Sequence, residues 1–153
     1  MIPCKVSQIS FSETYSVPPE QTTQRMFRLL PHGSGYADRM IDAMATGYLI
    51  AVLESICARE MQTYLDHDEE LVVGSSVQCQ HRAPIPAGAL VKVDGWVVAV
   101  GEHEATFWVQ ASDEQETVCD GLIRFAIVLR SHMQTKMRRK CEAIQRRELF
   151  AMA

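Results

Sequence analysis

The sequence has no apolar run of the ~18 residues that a membrane-spanning helix needs, and its first residues show no secretory-leader pattern. Its five cysteines are an odd number and none are spaced as CxxC, which argues against a zinc site and a disulfide framework. We therefore expect a cytoplasmic protein with reduced thiols, no membrane association and no bound metal.

Basic residues are scarce in the body of the chain and acidic residues are scarce in its tail. Residues 1–129 carry 8 Lys/Arg against 17 Asp/Glu, whereas residues 130–153 carry 7 against 2. An acidic body argues against nucleic-acid binding. The basic tail is compatible with a solvated helix face, with a phosphorylated ligand or with an acidic neighbouring subunit.

Hydrophobic periodicity changes along the chain from alternating to helical and back. Loose alternation predicts a strand over residues 5–17, near a sheet edge because it stops at Pro18-Pro19. A helical pattern covers residues 38–65, with a break near Thr46-Gly47. Further strands are predicted over 71–82, 89–100, 104–111 and 117–129, followed by a polar helix from residue 134.

A chain of 153 residues suits one domain with its own core. Four consecutive strands with short connections predict an antiparallel meander, and one apolar helix can cover its concave face. We therefore predict an α+β hot-dog fold, an antiparallel sheet wrapped around a long central helix, with residues 130–153 as a basic helical extension. Such a sheet leaves edges exposed, so we expect a homodimer or a dimer of dimers.

The most apolar stretch, Ala45–Ala58, predicts a helix buried on every side, yet it contains the carboxylate Glu54. No basic residue lies one helical turn away, so Glu54 needs a partner from the sheet or a proton. His81 is the first candidate, and Arg124, the lone charge of an apolar strand, is the second. A Glu–His pair can activate water or a nucleophile near neutral pH. The alternatives are a structural ion pair or a satisfied core histidine, and an outward-facing Arg124.

At two further positions we expect backbone N–H groups to face a ligand. Gly74 can present a free N–H to an oxyanion, or it is simply a glycine at a strand entry, and alternation puts it on the opposite face from His81. Thr46 is predicted to cap the apolar helix, which would leave the N–H groups of Gly47 and Tyr48 pointing at a ligand carbonyl. A cap with no further role is the alternative.

Together these positions resemble a known family. The matching pattern is Thr46-Gly47-x6-Glu54 followed by Gly74-Ser75-x-Val77-x3-His81-x-Ala83-x4-Gly88. It resembles the hot-dog thioesterases of the fluoroacetyl-CoA thioesterase type, over residues 10 to 130. The resemblance implies a catalytic set of Thr46, Glu54 and His81. It also implies a Gly74 N–H near the thioester carbonyl and an arginine of the last strand, Arg124, supporting the site.

The sequence departs from that family in three places. Arg124 lies one residue closer to its preceding glycine than the family pattern has it, and one extra residue separates Glu54 from His81. The fluoroacetyl-specific member has a phenylalanine lid before the helix, where this chain has Ala37 and Met40. We therefore expect a larger or less selectively recognised acyl group.

The function implied is hydrolysis of a small or medium acyl-CoA, with no cofactor beyond the coenzyme A of the substrate. Glu54 would be general base or nucleophile, His81 its proton partner, and Thr46 would position water. The N–H groups of Gly74 and Gly47 would polarise the carbonyl. Two alternatives are a hot-dog protein that binds acyl-CoA or a small ligand without hydrolysing it, and a hydratase, which usually needs an Asp/His pair.

Overall fold

The computed structural model describes residues 3–65 and 68–151. Its helices are α1 (Pro3–Val6), α2 (Thr23–Leu29), α3 (Ser34–Ala37), α4 (Thr46–Gln62) and α5 (Arg130–Ala151), with a 3-10 turn at Pro19–Gln21. Its strands are β1 (Ser10–Ser16), β2 (Glu70–His81), β3 (Leu90–Val100), β4 (Glu104–Ser112) and β5 (Thr117–Leu129). All five strands form one antiparallel sheet in the order β1-β3-β4-β5-β2.

The predicted strands are found within a residue or two of their expected ends, except the first. Strand β1 starts only at Ser10, because the preceding residues form the short helix α1, for which Pro3 is a suitable first residue. This helix buries Val6 completely in the core. The edge position of β1 is as predicted, since it pairs with β3 alone.

The predicted meander of four consecutive strands is wrong for β2. Strands β3, β4 and β5 are sequential neighbours, but β2 pairs with β5 at the edge opposite β1. The β2–β3 connection cannot be a tight hairpin, because Pro84 and Pro86 lack N–H donors and Ile85 between them is fully buried. The carbonyl of Ile85 accepts a hydrogen bond from the N–H of Met44 at 2.7 Å, which ties the crossover to the segment before α4.

Helix α4 packs on the inner face of the sheet and supplies five buried side chains, Leu49, Leu53, Ile56, Cys57 and Met61. They meet buried aromatic and aliphatic residues of the sheet, including Phe107 and Phe125. The expectation that this helix is buried on every side is wrong, because Ala51 and Ser55 are exposed and Glu54 is half-buried. One flank of α4 and the middle of β2 are thus uncovered in a single chain.

Helix α5 continues directly from β5, four residues earlier than predicted. Leu129 still pairs with Glu70 in the sheet, and the next backbone N–H, that of Arg130, donates to the carbonyl of Glu69 at 2.9 Å. Residues 136–148 are all exposed. Within the described part of the chain, no helix is long and apolar enough to cross a membrane.

Candidate functional site

Thr46 and His81 meet where α4 begins and β2 ends. The Thr46 Oγ1 lies 2.9 Å from Nδ1 of His81, within hydrogen-bond distance. The N-cap of α4 is Ala45, with no side-chain cap bond, so the prediction that Thr46 caps the helix is wrong. Its hydroxyl is directed to the histidine instead. As the first helical residue, Thr46 leaves its own N–H and that of Gly47 without partners inside the helix.

The imidazole of His81 is held in its neutral form. Burial lowers the pKa of His81 below its ordinary value, and a hydrogen bond with the backbone of Ala83 offsets part of that effect. Its other ring nitrogen, Nε2, is buried and has no hydrogen-bond partner within the described residues. A neutral ring whose Nε2 is unsatisfied can accept or relay a proton.

Glu54 and Gly74 form a second contact, farther along the same helix. A Cβ built on Gly74 would overlap Oε1 of Glu54 and would lie 2.9 Å from the carboxyl carbon. The missing side chain at residue 74 therefore makes the space that the Glu54 carboxylate occupies. This brings the carboxylate against the backbone of β2 at Gly74, a contact that the sequence did not predict.

A bulge in β2 turns Gly74 toward the helix. Gly74 pairs with Phe125 while Ser76 pairs with Arg124, so Ser75 is an extra residue in the ladder. Its hydroxyl donates to the carbonyl of Arg124 at 3.1 Å. Because of this extra residue, Gly74 and His81 lie on the same face of the sheet, and the prediction of opposite faces is wrong.

The two contacts are separate within one chain. Thr46 and Glu54 are eight residues apart on α4, which places them about 12 Å apart along the helix axis. Since His81 is bonded to Thr46, the predicted Glu54–His81 pair does not form within a single chain. Among the described residues, Glu54 has no hydrogen bond or ion pair.

Arg124 is not brought to this site. It lies on the outer face of β5, between the buried residues Ile123 and Phe125, and its side chain is exposed. Its partners across the sheet are Ser76 and Thr106. The outward-facing alternative describes this position, and strand alternation is the reason.

A cavity of about 450 Å³ opens beside the Thr46–His81 pair. Its apolar wall comes from the segment before α4, where Met40, Ile41 and Met44 contribute side chains. Ala37, the other residue matched to the lid position, is fully buried and lies outside this lining. Sequence reasoning missed Ile41 and Met44. Ile41 is 77% exposed on a loop, and the sequence held no signal for this because residues 38–65 were predicted to be helical.

Three buried or half-buried thiols near His81 are not candidate nucleophiles. Burial raises the pKa of both Cys57 and Cys119 to about 12, and it also raises that of Cys79. These thiols stay protonated at neutral pH, whereas a nucleophilic cysteine needs its thiolate. Over residues 3–65 and 68–151, no cluster of three His, Cys, Asp or Glu side chains could hold a metal ion.

The sheet around α4, with polar groups at the helix start and on the edge strand, defines a hot-dog fold. A hot-dog-like protein from Thermanaerovibrio acidaminovorans has the same fold, with a TM-score of 0.74, 14% identity and coverage of 92% of this chain and 97% of that one. The fluoroacetyl-CoA thioesterase FlK matches with a TM-score of 0.78 and 24% identity over 87% of this chain and 95% of that chain.

Sequence comparison identifies the family within this fold. Residues 32–131 match the family described as fluoroacetyl-CoA-specific thioesterase, and the chain belongs to that family. A fluoroacetyl-CoA thioesterase from Streptantibioticus cattleyicolor is 26% identical over 133 residues, which cover 87% of this chain and 92% of that protein.

Proposed function

We propose that this protein is an acyl-CoA thioesterase acting through Thr46, Glu54, His81 and the backbone N–H of Gly74. Family membership supports the reaction class, and the hydroxyl–imidazole contact of Thr46 with His81 beside an open cavity is the observation that carries the site. A neutral histidine suits proton transfer at neutral pH. The carboxylate against Gly74 supplies the second reacting group.

We infer that the working form is a homodimer joined along β2. In one chain this strand is a free sheet edge whose middle is exposed on both faces, with Val77 40% exposed on the inner side. An antiparallel pairing with a two-fold axis at Gln78, skipping the Ser75 bulge, sets Gly74 opposite His81 of the partner subunit. Both residues face inward, so the pairing joins the two separate contacts into one site.

In that site the thioester carbonyl lies near the N–H of Gly74, which stabilises the negative charge that develops on its oxygen. Glu54 either removes a proton from the attacking water or attacks the carbonyl carbon itself. In the first route the C–S bond breaks and the departing thiolate takes the proton that Glu54 removed from water. In the second route the C–S bond breaks as the acyl-glutamate anhydride forms, and water then hydrolyses that anhydride, which restores the Glu54 carboxylate and supplies the proton that the thiolate takes. His81 of the partner subunit, kept neutral by burial, relays that proton, and Thr46 of the partner subunit orients the ring.

The acyl group is proposed to be larger or less strictly recognised than fluoroacetyl. Met40, Ile41 and Met44 line the cavity, and methionine side chains adapt to varied apolar shapes. A survey of acyl-CoA thioesters of increasing chain length with a free-thiol assay tests both the reaction and this preference. We expect turnover of several short and medium acyl groups. Fluoroacetyl-CoA hydrolysed far faster than acetyl-CoA would contradict the preference, and no released thiol from any substrate would contradict the reaction.

Gly74→Ala is expected to lower kcat/KM about 100-fold, the cost of misplacing a reacting group by about 1 Å. The added methyl would overlap the Glu54 carboxylate, which is the mobile end of a side chain and can shift without disturbing the backbone. The melting temperature should therefore change little. Ser76→Ala, on the outer face of the same strand, is the control and should retain activity. A Gly74→Ala enzyme within twofold of the wild type would remove this contact from the mechanism.

A further inference from the structure

Helix α5 is long, exposed and outside the part of the chain that matches the family. It has 22 residues, which correspond to about 33 Å, and the family match ends at residue 131. Its start is anchored by Arg130, whose backbone N–H donates to the carbonyl of Glu69 and whose side chain donates to the carbonyl of Asp68, each at 2.9 Å. Because most helical stability in proteins comes from packing of one helix face, a ligand or partner for its exposed side chains is expected.

The positive charges of α5 indicate an anionic ligand. Within the described residues, six of its cations make no ion pair: Lys136, Arg138, Arg139, Lys140, Arg146 and Arg147. Arg146 instead donates to the backbone carbonyl of Glu142 at 3.3 Å. Three of the six, Lys136, Lys140 and Arg147, follow helical spacings of four and seven and share one side of the helix. Like charges four residues apart on a helix repel each other, so a bound polyanion would stabilise this row.

A second cavity lies at the base of this row. It has a volume of about 490 Å³ and sits between the first turns of α5 and the end of the sheet, with His103, His132, Met133 and Lys136 among its lining residues. The volume is in the range of small-molecule sites. Glu70 also lines it, so the cavity is of mixed charge at its sheet end and basic at its helix end.

The cavity lies close enough to the proposed reaction centre to serve the same ligand. Glu70 is four residues before Gly74 on β2, about 13 Å along the strand. In the pairing proposed above, Gly74 stands opposite His81 of the partner subunit, so Glu70 lies on the same strand just beyond the paired residues. The thioester end and the nucleotide end of one coenzyme A molecule are separated by an extended pantetheine arm, which bridges the two places.

We propose that α5 binds the nucleotide of coenzyme A: Lys136, Lys140 and Arg147 contact its phosphates, and the cavity at the base of the helix receives its nucleoside. This inference rests on the proposed function, because it assigns a binding site for the same substrate. Charge complementarity selects the phosphates, since the row carries three unpaired cations while the rest of the chain is acidic.

The test neutralises the row and compares two classes of substrate. In Lys136→Gln/Lys140→Gln/Arg147→Gln we expect KM for an acyl-CoA to rise about tenfold, the combined effect of three solvent-exposed charge contacts, with kcat unchanged. The same acyl group on N-acetylcysteamine, which has no nucleotide, should show no change. The control Arg138→Gln/Arg139→Gln/Arg146→Gln removes the same charge from other sides of α5 and should behave like the wild type.

Direct binding of free coenzyme A, measured by calorimetry, keeps this inference separate from the reaction. A protein that hydrolyses nothing but loses coenzyme A affinity only in the row variant would overturn the proposed function and retain the site. Equal losses in both triple variants would indicate general charge attraction and overturn the site. A changed molecular mass with unchanged binding would show that α5 contacts another copy instead, which also overturns it, as does an absence of coenzyme A binding by the wild type.

Discussion

Glu54→Gln is expected to reduce kcat for acyl-CoA hydrolysis about 10³-fold while leaving the affinity for coenzyme A unchanged. The amide has the shape of the carboxylate and still fits the space above Gly74, so packing is preserved. It can neither accept a proton from water nor attack the thioester carbon. The measurement is a free-thiol assay at saturating substrate together with calorimetric binding of coenzyme A.

Glu60→Gln is the matched control for this variant. Glu60 lies on the same helix, is half-buried and pairs with Arg59 at 3.2 Å, away from Gly74. Its loss should leave kcat within a factor of two. If Glu54→Gln lowers kcat less than tenfold, Glu54 is neither base nor nucleophile. If the wild type itself binds acyl-CoA and leaves it intact, the non-catalytic binding protein is the correct description. Rapid-quench labelling in heavy-oxygen water then distinguishes water attack from an acyl-glutamate intermediate.

Strands β3, β4 and β5 were predictable because each buries one face, and a period of two records this directly in the sequence. The pairing of the strands could not be predicted in the same way. Periodicity says nothing about neighbours, and the two prolines flanking Ile85, which exclude a hairpin, were interpreted only as a turn. The burial of α4 was overestimated for a related reason: its apolar flank around Ala51 is exposed in one chain. An apolar surface looks the same in a sequence whether it packs within a chain or between chains.

The candidate site was predicted as a set of residues and not as an arrangement. Resemblance selected Thr46, Glu54, Gly74 and His81, and all four lie on the inner side of the fold. Their grouping depends on one inserted residue, Ser75, which alternation cannot reveal. It also depends on the rise of α4, which separates Thr46 from Glu54. The sequence offered a Glu54–His81 pair as one candidate, whereas His81 contacts Thr46 within a single chain.

The Ser75 bulge supports the proposed homodimer more strongly than the open edge of β2 does. In a regular strand, residues seven apart face opposite sides, so Gly74 and His81 could not serve one site. With Ser75 extra, both point inward, and an axis at Gln78 places each opposite the other across the interface. The same axis pairs Val77 with Cys79 of the partner subunit, which covers apolar surface that a single chain exposes. Sheet register, burial and site chemistry therefore all support the proposed homodimer.

Mixing two inactive variants is expected to restore activity. Glu54→Gln and His81→Asn each remove one half of the proposed shared site. A hybrid dimer has one site with both substitutions and one with neither. If subunits exchange at random, half of the dimers are hybrids and about a quarter of all sites are intact. Co-refolded or co-expressed variants should therefore recover about 25% of wild-type kcat per site, against less than about 1% for either variant alone. The two variants assayed separately, and mixed without exchange, are the controls. Because a site formed within one chain would contain a substitution in every subunit, recovery at background level would refute the shared site.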